Sequence, residues 1–310
     1  MSGYDELRRL ADQFGDELAR LDDPILDQVD QISRSLAKLQ VDLAASWVLH
    51  DGDIPGKTLA AFRSRLRGII RQFERADVEG ATTTAMAAAY VIGTEFSEVE
   101  TIRYELDTPN LPGVGRVSLE FNERLQDASD EAMSNLGAVG AGGDATVALG
   151  PVRGAVRSIR AEVSSRIVHS GNQALIDTAD RNGMWLVWVA ERDACLHCLG
   201  LQGEIVRPGG LFNASVTFSP NPAPRAEGLL IGPPRHPNCR CTLHLHQVDT
   251  VLAVDALKRE ARRSVAKGWA LPSENPGERL RAAEKLLIIG ANLPKSVEEE
   301  AARAVRRGRF

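Results

Sequence analysis

The 310-residue sequence has few aromatic residues, no long apolar run and only four cysteines. Aromatic side chains make up 5% of the chain, which favours helices packed through aliphatic side chains over a β-sandwich. No apolar run approaches the roughly 18 to 20 residues that a membrane span needs. The polar first ten residues, which include Asp5 and Glu6, are not typical of a secretory signal peptide. With 43% hydrophobic and 25% charged residues, we expect a soluble, folded and mainly helical protein.

Sequence signatures of the common enzyme classes are also absent. The chain contains no phosphate-binding loop of the form G-x-x-x-x-G-K-[ST], no G-x-S-x-G elbow and no G-x-G-x-x-G after a predicted strand. It lacks H-E-x-x-H, and it lacks the H-x-E and P-C-x-x-C elements of zinc deaminases, since Ala194 rather than proline precedes Cys195. We therefore predict that the protein is not an enzyme and assign no catalytic residue.

The net charge of −5 is unevenly distributed along the chain. Residues 1–53 carry a net −7, whereas residues 251–310 carry a net +5. Two sets of arginines are candidates for local contact with DNA phosphates. Few aromatic residues lie beside them in the sequence, so we expect no stacking on single-stranded bases. The alternative is that both sets lie on solvated helix faces. The sets are Arg63, Arg67, Arg71 and Arg75, spaced four apart on one helix, and Arg303, Arg306, Arg307 and Arg309 in the tail.

Apolar residues recur at helical spacing through the first 136 residues. Asp23 followed by Pro24 has the pattern of a helix N-terminus, so we expect one helix to end and another to begin there. Further helices are predicted from about residue 58, over 81–104 and over 118–135, with a less regular stretch between the last two. Residues 137–150 are rich in glycine and alanine and predict a linker. Residues 1–136 are therefore predicted to form a helical N-terminal domain.

The second half of the chain has a more mixed pattern. We predict a long helix over 152–180, a buried strand over 184–190, and loops with short strands over 192–245. Helices return over 251–269, 276–289 and 296–307. The predicted fold class is mainly α with a small α+β zinc-knuckle-like module. The predicted domains are a mixed central module over 151–248 and a helical, basic C-terminal tail over 249–310.

The four cysteines all lie in the central module, together with a histidine. Cys195 and Cys198 form a C-x-x-C pair, and His236, Cys239 and Cys241 follow in the run H-P-N-C-R-C. Two close pairs of soft ligands separated by a loop are the usual layout of a structural zinc site. Four of these five residues would bind the metal, because Cys241 could replace His236 or Cys239. Zinc would also order a segment that is too rich in glycine and proline to order itself.

Other interpretations of the cluster remain open at this stage. The cysteines could be reduced thiols or form a disulfide, with the H-P-N-C-R turn held by hydrogen bonds alone. A catalytic zinc or a thiol nucleophile is a further alternative. A thioredoxin-like site is not expected, because no βαβ unit surrounds the C-x-x-C pair. His244 and His246, on the predicted strand that follows, are candidates for extra ligands.

Residues 153–245 resemble the phage Mu F-like minor head proteins, also called phage head morphogenesis proteins. The matching elements occur in the family's order and occupy less than a third of the chain. One departure is Ser158, where many relatives have threonine in an R-T-E element. The matching elements are a polar helix with Arg160 and Glu162, Trp188-Val189-Ala190, Asp193-Ala194-Cys195 with Cys198, Leu201-Gln202-Gly203, Pro233-Pro234 and His236-Pro237-Asn238-Cys239-Arg240-Cys241.

The resemblance implies a minor capsid protein of a tailed phage. Such a protein would lie inside the head near the portal vertex after assembly in the host cytoplasm. It would contact the portal protein or the major capsid protein, and packaged double-stranded DNA is a further possible partner. Its role would be in head assembly and in DNA ejection. The alternative function is a zinc-dependent nuclease, or another metal-dependent enzyme acting on nucleic acid.

Overall fold

The computed structural model describes residues 3–101, 119–139, 143–221, 229–246, 251–269 and 274–310. About 70% of this part of the chain is helical, with a few short antiparallel strands. The predicted fold class, mainly α with a small α+β module, is confirmed. The irregular stretch predicted before residue 118, part of the predicted linker and the end of the predicted central module lie outside the described residues.

Nine helices are described in these ranges, and most match the helices predicted from apolar periodicity. The exceptions are a short helix over Leu196–Leu201, in a stretch predicted as loops and short strands, and the first helix, which continues through Pro24 without a break. The prediction that one helix ends and another begins at Asp23 is therefore wrong. The helices are α1 (Gly3–Leu49), α2 (Gly56–Ala76), α3 (Val78–Thr101), α4 (Phe121–Val139), α5 (Gly150–Asn182), α6 (Leu196–Leu201), α7 (Val251–Lys267), α8 (Pro276–Ile288) and α9 (Lys295–Arg307).

The chain forms two compact units, each assembled from segments that are separated in sequence. One unit comprises Met1–Ala19, Ala88–Gly113 and Val168–Phe310, and the other comprises Arg20–Ala87 and Val114–Ile167. The described residues of the second unit form helices and no strands, and α2 packs against α4 within it. Ion pairs within this unit join Arg160 to Asp30 at 2.8 Å and Arg124 to Glu162 at 2.8 Å.

The first unit contains all the described strands. β1 (Trp185–Val189) is the central strand of an antiparallel sheet with the order β2-β1-β5, where β2 is Ile205–Val206 and β5 is Thr242–His246. The register pairs Trp185 with His246 and Val189 with Thr242. β3 (Phe212–Asn213) and β4 (Leu229–Leu230) form a separate two-stranded sheet. The predicted strand over 184–190 is therefore confirmed, and it holds β5 directly after the cysteine-rich turn.

Two apolar clusters stabilise the first unit. Val187 and Val189 of β1 pack with Ala11 of α1 and with Val254 and Leu257 of α7. A second cluster joins α7 to α9 through residues that are almost fully buried, and partly buried leucines cover it. Its members are Ala266, Val297 and Ala301, with Leu287 and Leu293 packed against them. The helices after residue 250 are thus packed onto the same unit as the cysteines.

The predicted linker over 137–150 contains ordered structure in its described residues. Val139 ends α4, and Ala145, Ala148 and Leu149 are buried. Gln40 donates a hydrogen bond of 2.7 Å to the carbonyl of Ala145. The predicted domain boundaries stay predictions. Within the described ranges, no helix combines the length and apolar character that crossing a membrane requires.

Candidate metal centre

The first pair of cysteines is held on a single helical turn. Cys195 is the N-cap residue of α6, and its carbonyl accepts a hydrogen bond of 3.0 Å from the amide of Leu199. Cys198 lies three residues further along the same turn and is buried, whereas Cys195 is half-buried. Residues three apart on a helix share a face. Both sulfur atoms therefore point to the same side of α6.

The second set of candidate ligands lies on a tight turn before β5. The amide of Cys239 donates to the carbonyl of His236 at 3.1 Å, and Asn238 takes the left-handed conformation with a φ of 61°. Asparagine tolerates this conformation better than most residues. The guanidinium of Arg240 donates to both carboxylate oxygens of Asp193, at 3.1 and 3.3 Å. This pair joins the turn to the segment that precedes Cys195.

The fold brings all five predicted ligands to one place. Cys198 Sγ lies 3.7 Å from Cys239 Sγ, and His236 Nε2 lies 3.0 Å from Cys195 Sγ and 3.1 Å from Cys198 Sγ. The ligand atoms form two groups, each within 4.8 Å, and each able to hold a metal ion. Cys198 belongs to both. The groups are Cys195, Cys198 and His236, and Cys198, Cys239 and Cys241.

These distances suit a small tetrahedral ion. A Zn–S bond of about 2.3 Å places two sulfur ligands about 3.8 Å apart and a sulfur and an imidazole nitrogen about 3.5 Å apart. The separation of the Cys198 and Cys239 sulfurs, 3.7 Å, matches the first value. The two contacts of His236 are a few tenths of an ångström shorter than the second, so a small rotation of the imidazole would complete the geometry.

The hydrogen bond at the far side of the His236 ring determines its tautomer. Nδ1 lies 2.8 Å from the carbonyl oxygen of Pro237. Because a carbonyl can only accept, Nδ1 carries the proton and donates it. In the neutral ring, Nε2 therefore carries the lone pair, and Nε2 is the atom that faces Cys195 and Cys198. A backbone acceptor on the opposite nitrogen is the usual partner of a metal-binding histidine.

The protonation of Cys195 and His236 is strongly shifted by their contact. The hydrogen bond from Cys198 and the neighbouring imidazole lower the pKa of Cys195 to about 4. Burial opposes charge on His236, but the hydrogen bond with Cys195 and the charge of nearby thiolates raise its pKa to about 9. At neutral pH the metal-free pair is therefore a thiolate beside an imidazolium. Cys195 is already deprotonated for a metal ion, and His236 would lose one proton on binding it.

The three buried thiols compete for charge. Hydrogen bonds from Cys198 and Cys241 hold the pKa of Cys239 well below its usual range. The hydrogen bond with Cys195 raises the pKa of Cys198, and burial raises the pKa of Cys241. Without a metal ion, Cys195 and Cys239 therefore ionise more readily than Cys198 and Cys241, and a bound cation would favour the ionised form of all four thiols. All four cysteines are free thiols, so the structure has none of the disulfides that the sequence left open.

The cavity at the cluster has the size of an ion. Its volume is about 10 Å³, and all five candidate ligands line it. A space of about 10 to 15 Å³ holds one water-sized species, so an organic substrate does not fit. Glu191 also lines the cavity, and burial raises the pKa of its carboxyl group. Glu191 was not among the residues predicted from the sequence.

Two side chains, the half-buried Arg235 and the buried Asn172, fix the backbone around the ligands. Arg235 donates to the carbonyl of His197 at 2.6 Å and to that of Val216 at 2.9 Å, and it also bonds the carbonyl of Ala214. Asn172 of α5 accepts a hydrogen bond of 2.6 Å from the amide of Leu243, two residues after Cys241. The ligand-bearing turns are thus tied to their surroundings on both sides.

A buried ion pair from the C-terminal helices brackets Cys195. Glu274 accepts a hydrogen bond of 2.8 Å from the amide of Leu196, and Arg279 donates one of 2.9 Å to the carbonyl of Ala194. The two side chains pair at 2.9 Å and are 6% and 1% exposed. We call Glu274 and Arg279 the buried pair. The sequence did not predict this pair, because charged residues in a helical segment usually indicate a solvated helix face.

Other histidines and arginines singled out from the sequence lie elsewhere. His244 and His246 are buried on β5, and His244 packs edge-on against Phe14. Among the described residues, neither belongs to a group able to hold a metal. On α2, Arg67, Arg71 and Arg75 are exposed, whereas Arg63 is half-buried. The Arg63 side chain lies against α4, because its Nη2 atom is only 3.2 Å from the position that a Cβ atom on Gly137 would occupy.

The arginines of the tail are exposed, and three of them border a cleft. Arg303, Arg307 and Arg309 line it together with Trp269 and Phe310, whereas Arg306 does not. Trp269 and Phe310 therefore lie near these arginines in space, although the sequence around residues 303–307 contains no aromatic residue. Whether either arginine set contacts DNA stays a prediction.

Comparison with known proteins found no match. No protein-family model, no curated protein and no solved structure matches the chain. The fold and the site describe a mainly α protein with a cluster of thiols and an imidazole that could hold a metal ion.

Proposed function

We propose that four of the five candidate ligands, Cys195, Cys198, His236, Cys239 and Cys241, bind a single structural Zn²⁺. Three observations support the choice of metal. Thiolate and imidazole ligands select zinc over the harder cations, the sulfur separation of 3.7 Å equals a tetrahedral edge, and the cavity accommodates an ion. The metal would supply the positive charge that lets several buried thiols ionise together, and it would hold α6 against the turn before β5.

Single substitutions test both the site and its ligand set. Cys198→Ser is expected to abolish zinc binding, because Cys198 belongs to both ligand groups. His197→Gln is the matched control: its side chain contacts Thr217 instead and should leave the zinc content unchanged. Comparing His236→Ala with Cys241→Ser then identifies the spare ligand as the one whose loss retains zinc. Equal zinc content in the wild type and Cys198→Ser would contradict the proposal.

For the protein as a whole, we propose a minor head protein of a tailed phage. It would be a structural component of the virion, inside the head near the portal, which assists assembly and DNA ejection. The single observation that carries this proposal is that the D-A-C-x-x-C and H-P-N-C-R-C elements meet at one buried centre. These two elements carry most of the resemblance to Mu F-like proteins. A centre that braces loops without room for a substrate suits a structural component.

The neighbouring genes and a binding experiment test this proposal. A portal gene upstream and a scaffold or capsid gene downstream are expected, and the chain should co-purify with that portal or capsid protein. The Cys198→Ser chain should lose this association if the zinc-braced module forms the contact. Neighbours unrelated to phage heads, or no association of the wild-type chain with either protein, would contradict the assignment.

A zinc-dependent nuclease is the second candidate. The observation that favours it is that Glu191 lines the same cavity as the ligands, and a carboxyl group there could act on a metal-bound water. Incubation of the zinc-loaded chain with single- and double-stranded DNA tests it directly. Cleavage by the wild type that is lost in Glu191→Gln, with zinc content unchanged, would favour the nuclease. Intact DNA in both would exclude it for these substrates.

A further inference from the structure

The ends of α7 and α9 border a cleft of about 420 Å³, which we call the C-terminal cleft. Its floor includes the small side chains of Ala266 and Ala304, both nearly fully buried. Its walls carry Lys267, Arg303, Arg307 and Arg309 and two aromatic rings, Trp269 and Phe310. A volume of 300 to 1,000 Å³ is typical of a small-molecule site. The cleft is separate from the cavity lined by the metal ligands.

Two similar helix ends build the walls of this cleft. Gly268 follows α7 with a φ of 70°, and the amide of Trp269 donates to the carbonyl of Ser264. Gly308 ends α9 in the same way, and the amide of Arg309 donates to the carbonyl of Ala304. Each pattern is a Schellman motif, which reverses the chain in a fixed direction. Trp269 and Arg309 are therefore presented by hydrogen-bonded caps.

The two aromatic rings are fixed and yet accessible. A Cβ atom added to Gly268 would lie 2.2 Å from Phe310 Cγ, so the Phe310 ring rests directly on this glycine. Trp269 is 44% exposed and Phe310 is 47% exposed. Large aromatic side chains usually bury most of their surface. Two that stay half-exposed at the edge of one cleft offer ring faces to a ligand.

Positive charge dominates the same walls. Lys267 pairs with Glu300 at 3.3 Å and lies 5.7 Å from the centre of the Trp269 ring. In the described part of the chain, the guanidinium groups of Arg303, Arg307 and Arg309 have no hydrogen-bond or ion-pair partner. The side chains that line the cleft include four cations and one carboxylate, so their net charge is +3. This excess exceeds the partial negative charge of the two helix ends, roughly half a unit each.

We propose that the C-terminal cleft binds a nucleotide unit whose base is unstacked, as in single-stranded nucleic acid. The guanidinium groups would contact the phosphate, since arginine recognises phosphate oxygens through paired donors. The base would stack on Trp269 or Phe310. A duplex covers the faces of its bases, so only an unpaired nucleotide uses both features. This inference does not rest on the phage-head proposal, because it needs only the geometry of the cleft.

Fluorescence anisotropy of a short labelled thymidine oligonucleotide, titrated with the full-length protein, tests the inference. The single strand is expected to bind more tightly than a duplex of the same length. Trp269→Ala should weaken binding of the single strand about tenfold, and Trp269→Phe should restore most of the loss. Arg307→Ala should also reduce the slope of log Kd against log salt by about 0.7, the value for one phosphate contact on a single strand.

Arg306 provides a matched control on the same helix. Arg306→Ala removes the same charge next to Arg307, but Arg306 does not line the cleft and its loss should leave affinity nearly unchanged. Both arginines are exposed, so neither substitution is expected to affect folding. Equal losses in Arg306→Ala and Arg307→Ala, or equal affinity for single strand and duplex, would overturn the inference in favour of general charge attraction.

Competition with free thymidine monophosphate distinguishes two sources of the same chemistry. If the mononucleotide displaces the oligonucleotide at a similar concentration of nucleotide units, the cleft is a site for a free nucleotide. If only longer strands compete, neighbouring phosphates contribute and the ligand is a nucleic acid strand. Failure of both to bind would overturn the inference, while zinc binding and portal association would remain unaffected.

Discussion

Cys198 links the two groups of candidate ligands and is almost completely buried. A buried thiolate is costly unless it is paired with positive charge, and Cys198 has three other cysteines and His236 around it. Because Nδ1 of His236 donates its proton to a carbonyl, Nε2 is the ring nitrogen whose lone pair can bind a metal ion. At the scale of single residues, the centre is thus prepared for a cation by its donor atoms and by the tautomer of its imidazole.

The shifted pKa values of Cys195 and His236 predict how acid affects the metal-free protein. The folded pair holds one proton between about pH 4 and about pH 9. In the unfolded chain, with ordinary values of 9.0 and 6.5, it holds two protons below about pH 6.5. The pair's contribution to stability is therefore lost as the pH falls from about 6.5 to about 4. Above about pH 6.5, the folded and the unfolded pair hold the same number of protons, so the pair's contribution to stability no longer changes with pH.

Denaturant titrations in the presence of a chelator test whether stability is lost as the pH falls. The difference in the free energy of unfolding between the wild type and Cys195→Ser should be constant near neutral pH and should narrow towards pH 4. Comparing the two proteins removes the contribution of the other acidic groups that titrate in the same range. A difference that stays constant from pH 6.5 to 4 would contradict the proposed thiolate and imidazolium pair.

The ligand residues were predictable because the information that identifies them is local. The C-x-x-C and H-P-N-C-R-C spacings specify two pairs of donors whichever way the rest of the chain folds. The residues that hold the backbone around them were not predictable. Asn172 is separated from Leu243 by 71 positions and Arg279 from Ala194 by 85, and no local pattern marks either contact.

At the scale of elements, the short helix α6 depends on its neighbours. It has six residues, too few to be stable alone. The buried pair from the segment before α8 and from α8 itself anchors its first residues through Leu196 and Ala194. The C-terminal helices, which the sequence predicted as a separate tail, therefore help to position the first ligand.

Arg279→Met tests this anchoring. It leaves the buried carboxylate of Glu274 without its cationic partner, which typically costs about 3–5 kcal/mol. We expect the melting temperature and the zinc affinity to fall, since Cys195 loses its fixed position. Arg281→Met on the exposed face of α8 is the control and should change neither. Replacing Glu274 and Arg279 together by methionine should recover part of the stability. An unchanged melting temperature in Arg279→Met would contradict the anchoring role.

Pro24 illustrates where local signals mislead. The Asp23-Pro24 pair has the sequence pattern of a helix start, but α1 runs through it for 47 residues. Proline in a helix interior removes one hydrogen bond and typically costs about 3 kcal/mol. Ile25, Val29 and Ile32 follow it and are almost fully buried. Burial of this apolar stripe offsets the local penalty, and only the tertiary structure reveals it.

At the scale of the whole molecule, all five candidate ligands lie in the first of the two compact units. That unit combines the first 19 residues with two later segments, an arrangement that apolar periodicity along a sequence cannot predict. The periodicity identified nearly every helix, but it carries no information on which helices pack together. The predicted division into consecutive domains rests on the pattern and composition of successive segments, which do not show which segments pack together.

Removal of the metal should affect this unit selectively. Hydrogen exchange of the full-length protein with and without a chelator is expected to show faster exchange in β1, α6 and β5, which surround the ligands. Amides of α2 and α4, which belong to the other unit, should keep their protection. Cys198→Ser should reproduce the chelator's effect. Uniform loss of protection in both units, or no change in β5, would contradict a local bracing role.

Four of the five clustered residues are proposed to bind one structural zinc ion. Zinc content combined with X-ray absorption at the zinc edge, on the full-length protein purified from zinc-supplemented medium, tests it most directly. We expect one zinc per chain with three or four sulfur ligands at about 2.3 Å. A chain without zinc, or zinc bound by fewer than three sulfurs with oxygen in their place, would contradict it.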